Sequence, residues 1–254
     1  MIDLHCHILP DIDDGPKNIE ESLLMAQEAA AKGIRTIVAT PHRNAKYKSE
    51  VQEILYKVKM LNEQLNQQNI PLNVVPGQEI RLYGEIVPDI MNQSLLTING
   101  ANKHIFIEFP SDHVPRYAER LLYEIQLQGI IPVVVHPERN AEIAEQPSLL
   151  YNLIKKGALS QITAASVTGA FGKNIKKLSL QLIEHNLTQM IASDAHNTTN
   201  RSFALSEAYS VIEKEFGHGI VSDFQENTYF LLEGQSVYKP APERIRKKKL
   251  FGIF

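Results

Sequence analysis

The chain is short of the features that most quickly assign a protein to a class. It has one cysteine, Cys6, in 254 residues, so no intramolecular disulfide is available. No apolar run approaches the ~18 residues of a membrane span. The N-terminus has no basic flank followed by an apolar stretch, so no secretory leader is read there. A soluble, cytoplasmic protein is expected from these absences. Positive charge is not in surplus either: 26 Lys and Arg stand against 29 Asp and Glu, a net charge of -3 that argues against nucleic acid as a partner. Internal repeats and low-complexity tracts are missing from the sequence as well.

What is present suffices for one sizeable core, since 43% of the residues are hydrophobic and 22% charged over a length that α/β barrels commonly keep undivided. Short Ile- and Val-rich runs alternate with longer stretches of helical periodicity, the pattern of βα units around a parallel sheet. Strands are predicted at Ile2–Leu4, Thr36–Ala39, Asn73–Val75 running on to Glu79, Ile105–Ile107, Ile131–Val135, Gln161–Thr163 and Met190–Ala192. Helices are predicted at Ile19–Ala31, Glu50–Asn66, Glu85–Asn92, Tyr117–Gln128, Leu149–Lys156, Ile175–His185 and Phe203–Phe216, with Gly33, Gly129 and Gly157 as stops. Seven such units suggest an α/β fold of the closed or nearly closed barrel type, although a doubly wound open sheet gives a similar pattern. Residues 1–233 form the expected single domain. Residues 234–254, GQSVYKPAPERIRKKKLFGIF, read as a basic and apolar tail. That tail is either a solvated terminus or a docking element for an acidic partner, a neighbouring subunit or an anionic membrane surface.

The strand ends carry the chemistry. In parallel barrels the working groups project from the carboxyl ends of the strands. Here His5 and His7 follow the first strand, His42 the second, Glu79 closes the third, Glu108 the fourth, His136 the fifth, and Asp194 and His196 follow the last. Five of the nine histidines fall at such positions, whereas His104, His113, His185 and His218 do not. Imidazole and carboxylate without thiolate form a borderline-to-hard donor set suited to Mn, Fe, Zn or Co in a catalytic site. In His5-Cys6-His7 the alternation of an extended segment puts both imidazoles on one face and Cys6 on the other. A cysteine phosphatase needs Cys-x5-Arg, and the position five past Cys6 plus one is Ile12, so Cys6 reads as a packing residue.

In order, HxH at His5 and His7, Asp14 in DIDDG, His42 in TPHR, Glu79 in GQE, Glu108 in IEF, His136 in HPER and DxH at Asp194 and His196 resemble the polymerase and histidinol phosphatase (PHP) metal-dependent phosphoesterases. The wording is most similar to the bacterial protein-tyrosine phosphatases of that family encoded beside capsule and exopolysaccharide genes. The resemblance implies a distorted seven-stranded (β/α) barrel with three divalent ions, manganese in this branch. It implies that His5, His7, Glu79 and Asp194 hold the first, a bridging Glu79 with Glu108 and His136 the second, and Asp14, His42 and His196 the third. Asp14 and Glu108 replace histidines of the histidinol phosphatase relatives, which shifts the donor set towards oxygen and hence towards Mn or Fe over Zn. Asp11 and Asp13 are alternatives to Asp14, expected to be solvated turn residues.

Four ligand carboxylates against three divalent ions leave a positive surplus, to which Arg139 and Arg201 add. Such a pocket suits a phosphate monoester, whose oxygens match the guanidinium fork. The alternative for each arginine is a surface salt bridge. Tyr117 and Arg116 are candidates for the mouth, with helix packing as the other role of Tyr117. The implied substrate is a phosphotyrosine-bearing protein, a bacterial tyrosine kinase linked to polysaccharide production, and a homo-oligomer is expected. Three rivals stay open: a small-molecule phosphatase such as one for histidinol phosphate, a non-catalytic metal-containing regulator, and an amidohydrolase-like C–N hydrolase, the last lacking a mid-barrel lysine.

Overall fold

The computed structural model describes residues 1–245. Along it run β1 (Ile2–Cys6), α1 (Ile19–Ala31), β2 (Thr36–Ala39), β3 (His42–Arg43), α2 (Val51–Gln67), β4 (Asn73–Pro76), β5 (Glu79–Arg81) and α3 (Ile86–Met91). There follow β6 (His104–Glu108), α4 (Ala118–Leu127), β7 (Ile131–Val135), α5 (Ala141–Glu145), α6 (Ser148–Lys155), β8 (Leu159–Thr163) and α7 (Ala164–Thr168). The chain then forms α8 (Lys173–Glu184), β9 (Met190–Ala192), α9 (Leu205–Phe216) and α10 (His218–Leu232). All strand pairs are parallel. They make a three-stranded sheet, β1-β2-β4, and a six-stranded sheet, β3-β5-β6-β7-β8-β9.

In place of the seven strands of one barrel expected from the sequence, the structure has nine strands in two parallel sheets. The predicted strand Thr36–Ala39 forms with those bounds and is followed, after Thr40-Pro41, by the unpredicted short strand β3, whereas the run from Asn73 to Glu79 is interrupted at Gly77-Gln78. Pro41 has no N–H to give to a ladder. Gly77 is needed because a Cβ there would lie 2.6 Å from Val38 Cγ1, so the backbone can turn only where no side chain intervenes. The end of β1 meets the segment just after β9 through an isolated bridge, Cys6 to Ala195, and no ladder pairs β1 with β9. Around that bridge His7 N donates to Ala195 O at 2.9 Å and Asp194 N to His5 O at 2.9 Å. Asp3 adds to the join, accepting from Ser193 N at 2.9 Å.

Helix starts and stops follow local chemistry. Asn18 caps α1 by accepting from Glu21 N at 2.9 Å. Gly33, Gly129 and Gly157 all take left-handed φ of +83°, +78° and +108° just past α1, α4 and α6. α10 was not anticipated; Gly217 at φ +87° lets it start directly after α9. It carries Leu231 and Leu232 into the inner core formed by Leu4, Val38, Phe106, Val133, Val135, Leu159, Met190 and Ala192. A larger outer core, with Ile37, Ile80, Ile105, Ile107, Val134, Ile162 and Ile191, lies between strands and helices. The alternation along β6, β7 and β9 assigns one side of each strand to each core.

The first half of the expected tail is not frayed. Asn227 exchanges hydrogen bonds with Tyr238, with its amide donating to Tyr238 O at 2.8 Å and its oxygen accepting from Tyr238 N at 2.8 Å. Glu243 N donates to His185 O at 2.8 Å, and Arg244 lies over the Tyr151 ring at 4.5 Å. The basic cluster from Arg246 and the apolar end fall outside the described residues. Among the described residues no helix is long and apolar enough to cross a membrane.

His104 opens β6 fully buried, and neither ring nitrogen has a hydrogen-bond partner. Burial, with Lys103 nearby, pushes its pKa from 6.5 down to about 4. Above pH 6.5 it is neutral folded and unfolded; as pH falls from 6.5 to 4 only the unfolded chain takes up the proton, so stability declines with acidification. By pH 5 the loss from this group is about 2 kcal/mol. Urea unfolding at pH 7 and pH 5 will show the smaller acid loss in His104→Leu, and an equal loss in both proteins would contradict the assignment.

Candidate metal centre

Strand parity delivers most of the polar groups to one place. Phe106 faces the inner core and Glu108, two residues on, stands above it on the same side; Met190 and Ala192 prepare Asp194 in the same way. On β5, Ile80 joins the outer core, so Glu79 and Arg81 share the inner face. His136 needs more than parity. It follows the inward Val135 and takes a left-handed φ of +36°, which swings the imidazole back inward. Asp194 is left-handed too, at φ +54°. Backbone outliers of this kind collect at functional sites.

Glu79 is the hub, fully buried. Its Oε1 lies 2.7 Å from His136 Nε2. Its Oε2 lies 2.8 Å from His42 Nδ1, 3.3 Å from His7 Nε2 and 3.4 Å from His5 Nε2. Asp194 Oδ1 faces His7 Nε2 at 3.4 Å, His5 Nε2 at 3.6 Å and His196 Nδ1 at 3.6 Å. Asp14 Oδ1 lies 3.4 Å from both His42 Nε2 and His196 Nε2. Glu108 approaches His42 at 3.8 Å and His136 at 3.9 Å. All nine residues predicted as ligands therefore converge. Three overlapping groups have donor atoms within 4.8 Å of one another: His7, Asp14, His42 and His196; His5, His7 and Glu79; His42, Glu79 and Glu108. This grouping sets His7 with the Asp14 group and brings His42 to Glu79 and Glu108, links that the sequence-based partition did not include.

The donors fit divalent cations. Glu79 Oε2, His42 Nδ1 and His196 Nε2 are buried and make no hydrogen bond, although buried polar atoms normally find partners. Desolvated carboxylates crowded among imidazoles need positive charge between them. Burial opposes ionisation of Glu79, yet the positive charge of His42 and His5 and the bond from His136 hold its carboxyl well below the usual range. For Asp194, burial is outweighed by Arg139, His7, His5 and Arg201, so its pKa is also well below normal. Burial would lower His7, but Asp13 and the neighbouring carboxylates raise it well above its ordinary value. His42 is raised despite burial, chiefly by Glu79. His196 goes the other way, to about 4, through burial and the charge of His7.

Both arginines belong to the centre. Arg139 Nη1 and Arg201 Nη2 donate to Asp194 Oδ2, the latter at 3.0 Å, on the opposite side of that carboxylate from the histidines. Arg139 also lies over the Phe171 ring at 5.7 Å. Cys6 faces away, packs in the outer core and points its thiol at Ala195 O at 3.5 Å. Burial, then the charges of Asp3, Asp194 and Asp13, push that thiol well above its usual pKa, which removes it as a nucleophile. Tyr117 is exposed just before α4, and among the described residues no side-chain hydrogen bond or salt bridge ties it or Arg116 to the centre.

Several supporting residues escaped the sequence reading. Asp13, expected to be a solvated turn residue, has a buried side chain whose Oδ2 accepts from His7 Nδ1 at 2.6 Å. Gln161 Oε1 lies 2.9 Å from His5 Nδ1, and Arg81 Nε donates to Glu108 Oε2 at 2.9 Å. Inward parity on β8 and β5 was the available signal for the last two. DIDD offered no way to rank Asp13 against Asp11, which is indeed exposed.

Because the surrounding carboxylates raise the proton affinity of His7 and His42, cations must displace those protons. Mn2+ binding is therefore expected to release protons and to weaken as pH falls from 8 to 6. Calorimetry in buffers of different ionisation heat checks this; uptake of protons, or no linkage, would contradict it.

A sequence-family profile described as capsular polysaccharide synthesis, CpsB/CapC, matches residues 1–233. The tyrosine-protein phosphatase YwqE of Bacillus subtilis (strain 168) is 51% identical over 255 residues, covering 100% of both chains. The putative tyrosine-protein phosphatase CapC of Staphylococcus aureus is 39% identical over 255 residues, again covering 100% of both. A chain from the crystal structures of Bacillus subtilis YwqE and Streptococcus pneumoniae CpsB, described as metal-dependent tyrosine phosphatases, superposes with a TM-score of 0.95 at 51% identity. It covers 97% of this chain and 100% of that one. With a profile match over residues 1–233 and full-length relatives at 51% and 39% identity, this chain belongs to the CpsB/CapC family of capsular polysaccharide synthesis proteins.

Proposed function

We propose that the chain is a metal-dependent protein-tyrosine phosphatase that hydrolyses phosphotyrosine with water as the nucleophile. The observation that carries this is the meeting of nine imidazole and carboxylate donors beside two arginines that share Asp194. His5, His7, Glu79 and Asp194, then Glu79, Glu108 and His136, then Asp14, His42 and His196 would hold three divalent ions. Manganese suits a set in which four of the nine side chains are carboxylates, and Fe, Co or Zn are accommodated by the same donors. When bound, such ions supply Lewis-acid charge and make water nucleophilic at neutral pH.

The chain's own residues do the rest. Asp194 is bound on one edge by Arg139 and Arg201, which holds both guanidinium groups next to the donor cluster. From there their remaining N–H groups bind and orient phosphate oxygens, and stabilise the charge that spreads over them in the transition state. Gln161 fixes the ring of His5, and Arg81 fixes the carboxylate of Glu108. With Cys6 buried and turned away, no protein nucleophile is required and the phosphoryl group passes directly to water. A phenol leaves with pKa near ~10, so turnover tolerates weak protonation of the leaving oxygen, whereas alkyl phosphates demand more. Among the described residues no lysine pairs with a carboxylate of the centre, which disfavours the carboxylated-lysine chemistry of C–N hydrolases.

The nine strands are read as the seven staves of a distorted barrel, two of them interrupted. Residues 1–233 form the catalytic unit, a division supported by the family match over the same stretch. The substrate is a phosphotyrosine-bearing protein, with a bacterial tyrosine kinase of the polysaccharide apparatus as the natural target, reached in the cytoplasm by a homo-oligomer. The capsular description of the family and the printed activity of its relatives support this setting.

Elemental analysis and phosphotyrosyl-peptide turnover test the assignment together. His136→Ala is expected to lose metal and activity in parallel. Arg139→Ala is expected to retain metal while kcat/KM falls on the order of 100-fold. Full activity in Arg139→Ala, or activity that persists after chelation, would overturn the mechanism.

A further inference from the structure

We propose that Asp13, outside the ligand set, decides whether the outermost cation group, His7, Asp14, His42 and His196, holds its ion. The inference rests on reading the centre as a divalent-cation site. Asp13 has no exposed side-chain surface and makes three bonds, each to a different part of that group. Its Oδ2 accepts from His7 Nδ1 at 2.6 Å. With the Nδ1 proton committed there, Nε2 is the nitrogen that a cation can take, and it faces Glu79 and Asp194 at 3.3 and 3.4 Å. The same oxygen accepts from the backbone N of His42 at 3.0 Å, which fixes the start of β3 beneath that imidazole. Its Oδ1 accepts from Gly15 N at 2.9 Å, closing an Asx turn around Asp14. A Cβ at position 15 would strike His7 O, so this turn lies flat against β1 and Asp14 is held within 3.4 Å of His42 and His196.

One carboxylate thus places three of the four side chains. Apart from His7, which the two groups share, the inner donors are supported independently, His5 by Gln161 and Asp194 by the arginines, so loss of Asp13 unsettles one inner donor but three of the outer four. Exposure separates the groups as well: the Asp14 side chain is 43% exposed and His42 13%, against 0% for His5 and Glu79. The outer ion has the open route to solvent and the shared dependence on Asp13. Losing that support should empty one site and leave the inner ones filled.

The test uses the full chain reconstituted with MnCl2 and desalted, followed by elemental analysis and by electron paramagnetic resonance of free Mn2+ during titration. Asp13→Asn has a neutral amide with one acceptor oxygen in place of two. It is expected to carry one ion fewer than the wild type, with the weakest Mn2+ site loosened by about 10- to 100-fold. Asp11→Asn, at an exposed position, should match the wild type. Retention of every ion at wild-type affinity in Asp13→Asn overturns the proposal, and so does loss of all ions together, which would make Asp13 a support of the entire centre. A measurement on the unaltered protein, loaded with diamagnetic Zn2+, stands apart from variant folding. Imidazole nitrogen shifts should put the His7 proton on Nδ1, and a proton on Nε2 overturns the proposal. If the wild type itself holds no Mn2+, the cation-site reading fails first and is distinguished by that result.

Discussion

A carboxylate with no access to water, ringed by imidazoles, is the constraint on which the rest of this structure depends. Glu79 sits fully buried with ring nitrogens of His136, His42, His7 and His5 between 2.7 and 3.4 Å away. An isolated ionised carboxylate in such a place would cost far more than the fold has to spare. Compensation must come from charge brought to the same spot. Protonated histidines supply some of it, and divalent ions between the donors would supply it more completely, since they satisfy the lone pairs of Glu79 Oε2, His42 Nδ1 and His196 Nε2 together.

The two parallel sheets are a means of delivering these groups from distant parts of the chain. Parallel strands present their carboxyl ends on one side, and the alternation of side chains fills the interior with Phe106, Val133, Val135 and Met190 below the donors. Asp194 links the two halves of the chemistry: one oxygen faces the histidines and the other receives Arg139 and Arg201. Cation binding and phosphate orientation are thereby coupled through a single side chain. Loss of that carboxylate would leave both arginines unanchored.

Much of this was legible in the sequence because polar residues at the ends of apolar strands are costly unless they have work to do. His5, His7, His42, Glu79, Glu108, His136, Asp194 and His196 stood out for that reason, and the structure gathers them with Asp14. What could not be read depended on geometry without a sequence signature. The short strand β3 after Pro41, which has no N–H for a ladder, and the break at Gly77, set by its close approach to Val38, depend on contacts across the sheet. α10 follows α9 after one left-handed glycine, so the periodicity looked like a single helix and a remainder. Asp13 and Asp11 are the same residue type two positions apart, and only the direction of the turn buries one and exposes the other. The anchoring of residues 234–245 depends on partners such as Asn227 and His185, which a proline-containing stretch does not announce.

The central claim is that side chains from residue 5 to residue 196 form one multi-cation cage. X-ray diffraction from Mn2+-loaded crystals, collected on both sides of the manganese absorption edge, tests it most directly. The account predicts three anomalous peaks, all clustered among Glu79, Asp194, His7 and His196. An absence of peaks there, or peaks only at surface carboxylates, would contradict it.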